Sequence, residues 1–164
     1  MRWDLRLAAR LQRVVPRVIH GTARFTRPLT MGVRAVILDR RSAVPRVFLV
    51  RHSYVAGWHL PGGAVEPGES VGDCLRREVR EECAIAVAGT PRLFGIYFNR
   101  KTSRRDHVAV YVVEDFQVLE PRRPDWEIVE AGFFGRERLP HDATAATRAR
   151  LAEVLDGQPA GSDW

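Results

Sequence analysis

Three glutamates, Glu78, Glu81 and Glu82, lie close together in a segment that is predicted to be helical. At about 100° per residue, Glu78 and Glu82 continue the apolar stripe that Val71 and Leu75 begin, and Glu81 lies on its edge. Like charges four residues apart destabilise a helix, and half-burying several carboxylates costs far more unless something neutralises them. A hard divalent cation such as Mg²⁺, which binds oxygen ligands, would neutralise them. The spacing therefore points to a metal site on this helix.

The same helix also has a simpler interpretation. The helical wheel places Arg76, Arg77 and Arg80 on the side opposite the glutamates, and mixed acidic and basic residues are typical of a solvated helix surface. A pair such as Arg77 and Glu81 would then only stabilise the helix. The helix by itself does not decide between a metal site and a charged surface.

The loop before the helix favours the metal site. Residues 60–63 read Leu-Pro-Gly-Gly and residues 66–69 read Glu-Pro-Gly-Glu, which gives a glycine-dependent path directly into the helix. Glycine allows a backbone amide or carbonyl to approach a metal or a phosphate closely. Ser70 and Asp73 then form a capping-box-like start, so the helix is predicted over about residues 71–83.

This stretch resembles the Nudix box, G-x5-E-x7-R-E-U-x-E-E-x-G-U, in which U is aliphatic. The residues that match it are Gly63, Glu69, Arg77, Glu78, Val79, Glu81, Glu82 and Ile85. Ala84 replaces the family's second glycine, and we expect altered geometry at the helix end without loss of chemistry. The resemblance is tight over the box and loose over residues 30–155. It implies an α/β fold of the Nudix type, an α/β/α sandwich with a mixed sheet and a loop–helix–loop catalytic motif.

The resemblance also implies an activity. Nudix hydrolases mostly cleave a pyrophosphate bond in a nucleoside diphosphate linked to another moiety, so the expected substrate is a nucleotide sugar, an ADP-ribose-like molecule or a nucleoside triphosphate. By position, Glu78, Glu81 and Glu82 would bind Mg²⁺ or Mn²⁺, and the carbonyl of Gly62 would complete the coordination. The expected function is that of a metal-dependent pyrophosphohydrolase.

The remaining box positions have roles that the resemblance also implies. Glu69 would pair with Arg77 and hold the loop against the helix, and Gly63 would be a structural position of the motif. Arg77, together with Glu78 and Glu81, is placed in the catalytic group. These assignments depend on the match to the box and not on composition or periodicity.

The general base is left open by the box. Glu81 or Glu78 could serve, and so could a carboxylate from a distant loop, where Asp125, Glu127 and Glu130 are candidates. The plainer interpretation of those distal acids is a strand edge that carries solvated charges.

Four residues outside the helix are candidates for substrate binding: Arg51, Arg100, Arg104 and Trp58. Guanidinium groups match the geometry of phosphate oxygens, and an aromatic ring can stack on a nucleobase. The alternatives are a solvated hairpin tip for Arg100 and Arg104 and core packing for Trp58.

The elements around the loop and helix follow from alternation and turn residues. Residues 32–38 and 46–51 are predicted strands that form a hairpin, and the Gly- and Pro-rich residues 57–69 are predicted to be irregular. Strands are also predicted at 92–98 and 107–113, a strand pair near 115–119 and 128–134, and a last helix at about 142–155.

Length and charge divide the chain into unequal parts. The 164 residues, 45% of them hydrophobic, suit one domain. The net charge is +6, and the excess of positive charge lies near the N-terminus, where residues 1–34 contain eight arginines and one acid. We therefore predict a basic amphipathic extension over 1–28, a Nudix hydrolase domain over 29–157 and a frayed tail over 158–164. Only two cysteines are present, which favours a reducing, cytoplasmic setting.

The N-terminal extension leaves several partners open. A helix in it would pack its apolar face on the domain or on a second subunit, so a homodimer is one alternative. Contact with an anionic membrane surface through residues 2–19 is a less favoured one. A nucleic-acid-associated Nudix-fold protein, which hydrolyses RNA caps or binds without catalysis, is the alternative function. The retained carboxylates and the lack of aromatic residues clustered with basic ones favour a small-molecule nucleotide-diphosphate substrate.

Overall fold

The computed structural model describes residues 29–41 and 43–164. The predicted N-terminal extension therefore lies outside the described residues. The strands are β1 (Thr30–Asp39), β2 (Arg46–His52), β3 (Trp58–His59), β4 (Ile85–Val87), β5 (Arg92–Phe98), β6 (Asp106–Val113), β7 (Phe116–Val118) and β8 (Ile128–Gly135). The helices are α1 (Val71–Cys83) and α2 (Ala145–Asp156), with a short 3₁₀ helix at Arg136–Arg138.

The main sheet has six strands and mixed direction. Its order is β3-β2-β1-β6-β5, and β8 pairs with the other side of β2. β1 and β6 are parallel, and the other pairs in this sheet are antiparallel. The predicted mixed sheet is confirmed, and β1 and β2 form the predicted antiparallel pair.

The core lies on both faces of this sheet, with one helix on each. Alternate residues of a strand point to opposite faces, so Val33 and Ile37 of β1 pack with Leu75 of α1, whereas Val36 packs on the side of Leu151 of α2. β1 is apolar almost throughout because both of its faces are covered. The α/β/α sandwich expected from the resemblance is confirmed.

Two expectations about strands are wrong. Residues 57–69 are not wholly irregular, because β3 pairs with β2. The strands near 115–119 and 128–134 do not pair with each other: β7 pairs with β4, and β8 pairs with β2 along its whole length. The second difference arises from pairing between distant segments, which local alternation does not encode.

The C-terminal tail also differs from the predicted frayed segment. The amide of Phe98 donates to the carbonyl of Ser162 at 2.8 Å, and the amide of Trp164 donates to the carbonyl of Phe98 at 3.0 Å. The ring of Trp164 lies 6.0 Å from that of Tyr97. Backbone pairing and aromatic packing hold this tail against β5. Among the described residues, no helix is long and apolar enough to cross a membrane.

Candidate active site

α1 begins and ends as a capped helix. Oγ of Ser70 accepts a hydrogen bond from the amide of Asp73 at 3.1 Å, which satisfies one of the free amides of the first turn. At the other end Ala84 adopts φ 54° and ψ 40°, and its amide donates to the carbonyl of Arg80. Ala84 thus adopts the left-handed conformation that glycine favours. The expectation that alanine would alter the geometry of the helix end is therefore wrong. The strain costs about 1–2 kcal/mol.

The loop glycines allow backbone to pass where a side chain would not fit. Gly62 has φ 135°, and a Cβ there would lie 2.2 Å from the carbonyl oxygen of Val33. A Cβ on Gly63 would lie 2.2 Å from Oε1 of Glu78. The amide of Gly62 donates to Oε2 of Glu82 at 2.8 Å. The absence of side chains at these two glycines therefore allows the loop to pack closely against β1 and against the carboxylates of α1.

Arg77 connects the loop to the helix acids. Its guanidinium donates to both carboxylate oxygens of Glu69, at 2.9 and 3.1 Å, and to Glu78 at 2.8 Å. It also lies 3.3 Å from Glu81. The expected pairing of Glu69 with Arg77 is confirmed, and this hydrogen bond lowers the pKa of Glu69 to about 2. Arg77 is not on the side opposite the acids, as the helical wheel indicated, because its long side chain reaches back to the loop.

The helix acids line a cleft of about 370 Å³, which we call the acidic pocket. Glu78 and Glu82 have side chains that are 12% and 6% exposed, whereas that of Glu81 is 62% exposed. Burial raises the pKa of Glu82 to about 7 and also raises the pKa of Glu78. The residues that line the acidic pocket are Glu78, Glu81, Glu82, Arg122, Asp125, Trp126, Glu127 and Ile128.

A histidine joins this group from β2. One ligand atom each of His52, Glu82 and Glu127 lie within 4.8 Å of one another. Burial lowers the pKa of His52 to about 4, so the imidazole is neutral at neutral pH. Its Nδ1 is buried and has no hydrogen-bond partner among the described residues. Its Nε2 lies 3.6 Å from Oε1 of Glu82. A buried carboxylate, a half-buried carboxylate and a neutral imidazole form a donor set that fits a divalent cation.

Arg34 is a site residue that the sequence reasoning missed. Its guanidinium donates to the carbonyl of Leu60 at 3.1 Å and to the carbonyl of Gly62. The Gly62 carbonyl, which the resemblance implied as a metal ligand, therefore has a cationic partner from this chain. The available signal was an arginine between the apolar residues of a predicted strand, because a charge there needs a partner.

The distal acids differ in where they lie. Oδ1 of Asp125 accepts hydrogen bonds from the amides of Glu127 and Ile128 at 2.9 and 2.8 Å. The bond from Ile128 contributes most to lowering the pKa of Asp125 to about 2. Glu130 lies outside the acidic pocket and faces Arg51 at 3.5 Å. Glu127 is therefore the distal candidate base that lines the pocket without being tied into a turn.

The four residues predicted to bind substrate do not line the acidic pocket. Trp58 is 7% exposed and packs edge-on against Phe134 at 4.8 Å, so this candidate is corrected to a core residue. Arg51 lines a neighbouring pocket of about 430 Å³. Arg100 pairs with Asp163 at 2.9 Å, and neither it nor the exposed Arg104 lines the acidic pocket.

The sequence of this chain matches a family model and several known proteins. The family model described as NUDIX domain matches residues 28–155. Diphosphoinositol polyphosphate phosphohydrolase 2 of Rattus norvegicus is 36% identical over 105 residues, which cover 63% of this chain and 54% of that protein. The chain thus spans about half the length of the curated relatives it matches.

Solved structures give the same fold. The MutT NUDIX hydrolase from Burkholderia pseudomallei is 28% identical, with a TM-score of 0.60 over 76% of this chain and 97% of that one. An ADP-ribose pyrophosphatase from Streptococcus suis 89-1591 is 23% identical, with a TM-score of 0.55 over 82% of this chain and 97% of that one. At the lower identity the likeness concerns the fold alone.

Proposed function

This chain belongs to the Nudix family, and we propose that it is a divalent-metal-dependent hydrolase of a nucleoside diphosphate linked to another moiety. The observation that carries the proposal is the acidic pocket, where box carboxylates of α1 meet Glu127 and the buried ring of His52. Buried acids with raised pKa values are a costly arrangement for a fold, and such groups cluster at functional sites.

In this proposal the glutamates of α1 bind the metal ion and Arg77 positions them. The buried Glu82 and the half-buried Glu78 would hold Mg²⁺ or Mn²⁺, with Glu81 at the solvent side. A bound ion would offset the negative charge that develops on the phosphoryl oxygens and would activate a water. Arg77 fixes the position of the loop relative to the helix acids, because its guanidinium donates hydrogen bonds to both Glu69 and Glu78. Positioning and electrostatics supply most of the catalysis in phosphoryl transfer.

The proton of the attacking water would pass to one of the two less buried carboxylates, Glu81 or Glu127. Single variants E81Q and E127Q would identify it, because loss of the true acceptor lowers the rate and removes the acidic limb of the pH–rate profile, where the base becomes protonated. E130Q tests the third candidate, and we expect it to keep its activity because Glu130 faces Arg51 outside the pocket.

A second substrate class is favoured by one comparison. The curated relative at 36% identity is named for diphosphoinositol polyphosphates, which are not nucleotides. Both classes contain a phosphoric anhydride bond, so the same acidic pocket would serve either. The substrate panel must therefore include both.

The experiment uses the full chain with a nucleotide sugar, a dinucleotide, a nucleoside triphosphate, ADP-ribose and a diphosphoinositol polyphosphate. Release of phosphate or nucleoside monophosphate is measured with Mg²⁺, with Mn²⁺ and with EDTA. We expect hydrolysis of at least one substrate with metal and none in EDTA or in the E81Q/E82Q variant. The matched control is E114Q, since Glu114 is an exposed acid paired with Arg40. Wild-type rates in E81Q/E82Q would contradict the proposal.

We also propose a reducing, cytoplasmic setting. Cys74 and Cys83 are both free and are 0% and 1% exposed, so they act as small buried apolar residues. Cell fractionation with an antibody to the chain would test the location.

A further inference from the structure

His52 lies outside the box, at the end of β2 beside the acidic pocket. Its side chain is 3% exposed, and its Nδ1 has no hydrogen-bond partner among the described residues. Its Nε2 lies 3.6 Å from Oε1 of Glu82, which is beyond hydrogen-bonding distance. Buried polar atoms in proteins are nearly always partnered, so the position of this imidazole among carboxylates needs a cause.

The carboxylates around His52 supply that cause. One nitrogen of His52 and one oxygen each of Glu82 and Glu127 lie within 4.8 Å of one another. Ligands on opposite sides of an ion that binds them at about 2.1 Å are about 4 Å apart. The three atoms therefore need only small side-chain shifts to meet a common ion, although they come from β2, α1 and the segment before β8.

We propose that His52 is a nitrogen ligand of the divalent cation, in a ligand set that shares Glu82 with the box and adds Glu127. This inference rests on the proposed function, because it requires that the acidic pocket binds a cation. The competing role for His52 is a hydrogen bond that positions Glu82 without touching the ion. With Glu127 engaged as a ligand, Glu81 is left as the acceptor of the water's proton.

A nitrogen ligand has a chemical consequence for metal choice. Mg²⁺ is a hard cation that strongly prefers oxygen, whereas imidazole suits transition metals. The ligand set with His52 therefore favours Mn²⁺ over Mg²⁺. A set composed only of Glu78, Glu81, Glu82 and a carbonyl would lack this preference.

The test is pulsed electron paramagnetic resonance of the full chain with one equivalent of Mn²⁺ and no substrate. We expect the modulation of a directly coordinated ¹⁴N, which changes to that of ¹⁵N when the protein is grown with ¹⁵N-histidine. The H52Q variant should lose this signal, and its Kd for Mn²⁺ should rise at least about tenfold. Its Kd for Mg²⁺ should rise by a smaller factor.

The matched control is H59Q. The ring of His59 lies 5.7 Å from that of His52, but its Nε2 contacts the carbonyl of Ala56 at 3.0 Å, so H59Q should keep the nitrogen signal. If H52Q does not fold, isotope labelling of the H59Q protein still shows whether histidine coordinates the ion.

The outcomes separate this inference from the proposed function. Mn²⁺ that binds and supports hydrolysis without nitrogen coupling, or coupling that persists in folded H52Q, overturns the role of His52 and leaves the proposed function intact. A wild-type chain that binds Mg²⁺ but no Mn²⁺ overturns the role of His52 alone, and one that binds neither ion overturns both.

Discussion

Glu82 on α1 and Glu153 on α2 are almost equally buried, at 5% and 7% exposure, yet their environments are opposite. Burial raises the pKa of each carboxyl group. For Glu153 this effect is outweighed by hydrogen bonds from Tyr97, Arg150 and the amide of Gly161, so its pKa falls below the usual value. For Glu82 the effect of burial exceeds that of the Gly62 amide and of the charge of Arg34, so its pKa rises to about 7.

The difference shows that burial alone does not decide what a carboxylate does. Around Glu153, Arg150 donates at 2.6 Å and also lies over the ring of Tyr97 at 3.9 Å, which completes a cluster that fastens the C-terminal tail. Around the Glu82 carboxylate lie other acids and the neutral His52, and the charge of Arg34 and the amide of Gly62 offset only part of the effect of burial. The first cluster is satisfied within the chain, whereas in the proposed function the second cluster binds a cation from outside.

The largest expected effect is on catalysis at the unsatisfied cluster. The E82Q variant removes a buried ligand, and since metal catalysis contributes several kcal/mol, we expect kcat to fall about 1000-fold. Steady-state kinetics on the substrate identified by the panel would measure this. A loss of less than about tenfold would mean that Glu82 is not a ligand.

The next effect concerns stability at the satisfied cluster. E153Q leaves the charge of Arg150 buried without its partner, so we expect the free energy of unfolding to fall by about 3 kcal/mol. Urea denaturation would measure it. Because Glu153 lies away from the acidic pocket, the folded E153Q protein should keep the wild-type kcat, and a matching loss of kcat would remove the contrast between the two clusters.

The pH dependence of stability without metal sharpens the comparison. The folded chain holds a proton on Glu82 up to about pH 7, whereas the unfolded chain releases it near the ordinary glutamate pKa of 4.5. The unfolding free energy should therefore decrease as the pH rises from 4.5 to 7 and then level off.

In EDTA above pH 7, E82Q should consequently be more stable than the wild type, by about 2 kcal/mol. The difference should vanish near pH 4.5, where both proteins carry a neutral side chain. E114Q, which alters an exposed acid, serves as the control in the same denaturation series. A difference that is independent of pH would show that Glu82 is not the titrating group.

The smallest effect tests a site of strain that involves no charge. Ala84 has φ 54° at the end of α1, and glycine adopts this conformation without the steric cost. We expect A84G to raise the unfolding free energy by about 1 kcal/mol, since relief of strain exceeds the added entropy of the unfolded chain. Its kcat should stay near that of the wild type. A thousandfold increase would mean that the alanine restrains the catalytic acids.

The bounds of α1 illustrate what local pattern predicts well. A helix over residues 71–83 was expected, and the structure has it at Val71–Cys83. The signals are local: Ser70 caps the first turn, and the apolar spacing matches the helical repeat. The strand pairs after Val113 show the opposite case, because β7 and β8 were expected together and each instead pairs with a segment far away in sequence.

The candidate site divides in the same way. The motif placed the acids of α1 and the Glu69–Arg77 pair, because both depend on short spacings in one loop and one helix. Trp58 was left open between substrate binding and core packing, because the sequence beside a motif does not show whether an aromatic ring faces a ligand or the core, and the structure places it in the core.

The amino-acid sequence by itself determined the family, the helix and the register of its carboxylates, since these depend on residues within a few turns of each other. Only the tertiary structure decided that His52 and Glu127 join Glu82 and that Arg34 reaches the carbonyl of Gly62. The physical reason is that burial, hydrogen-bond partners and pKa arise from distant segments packed together, and no local spacing specifies that packing.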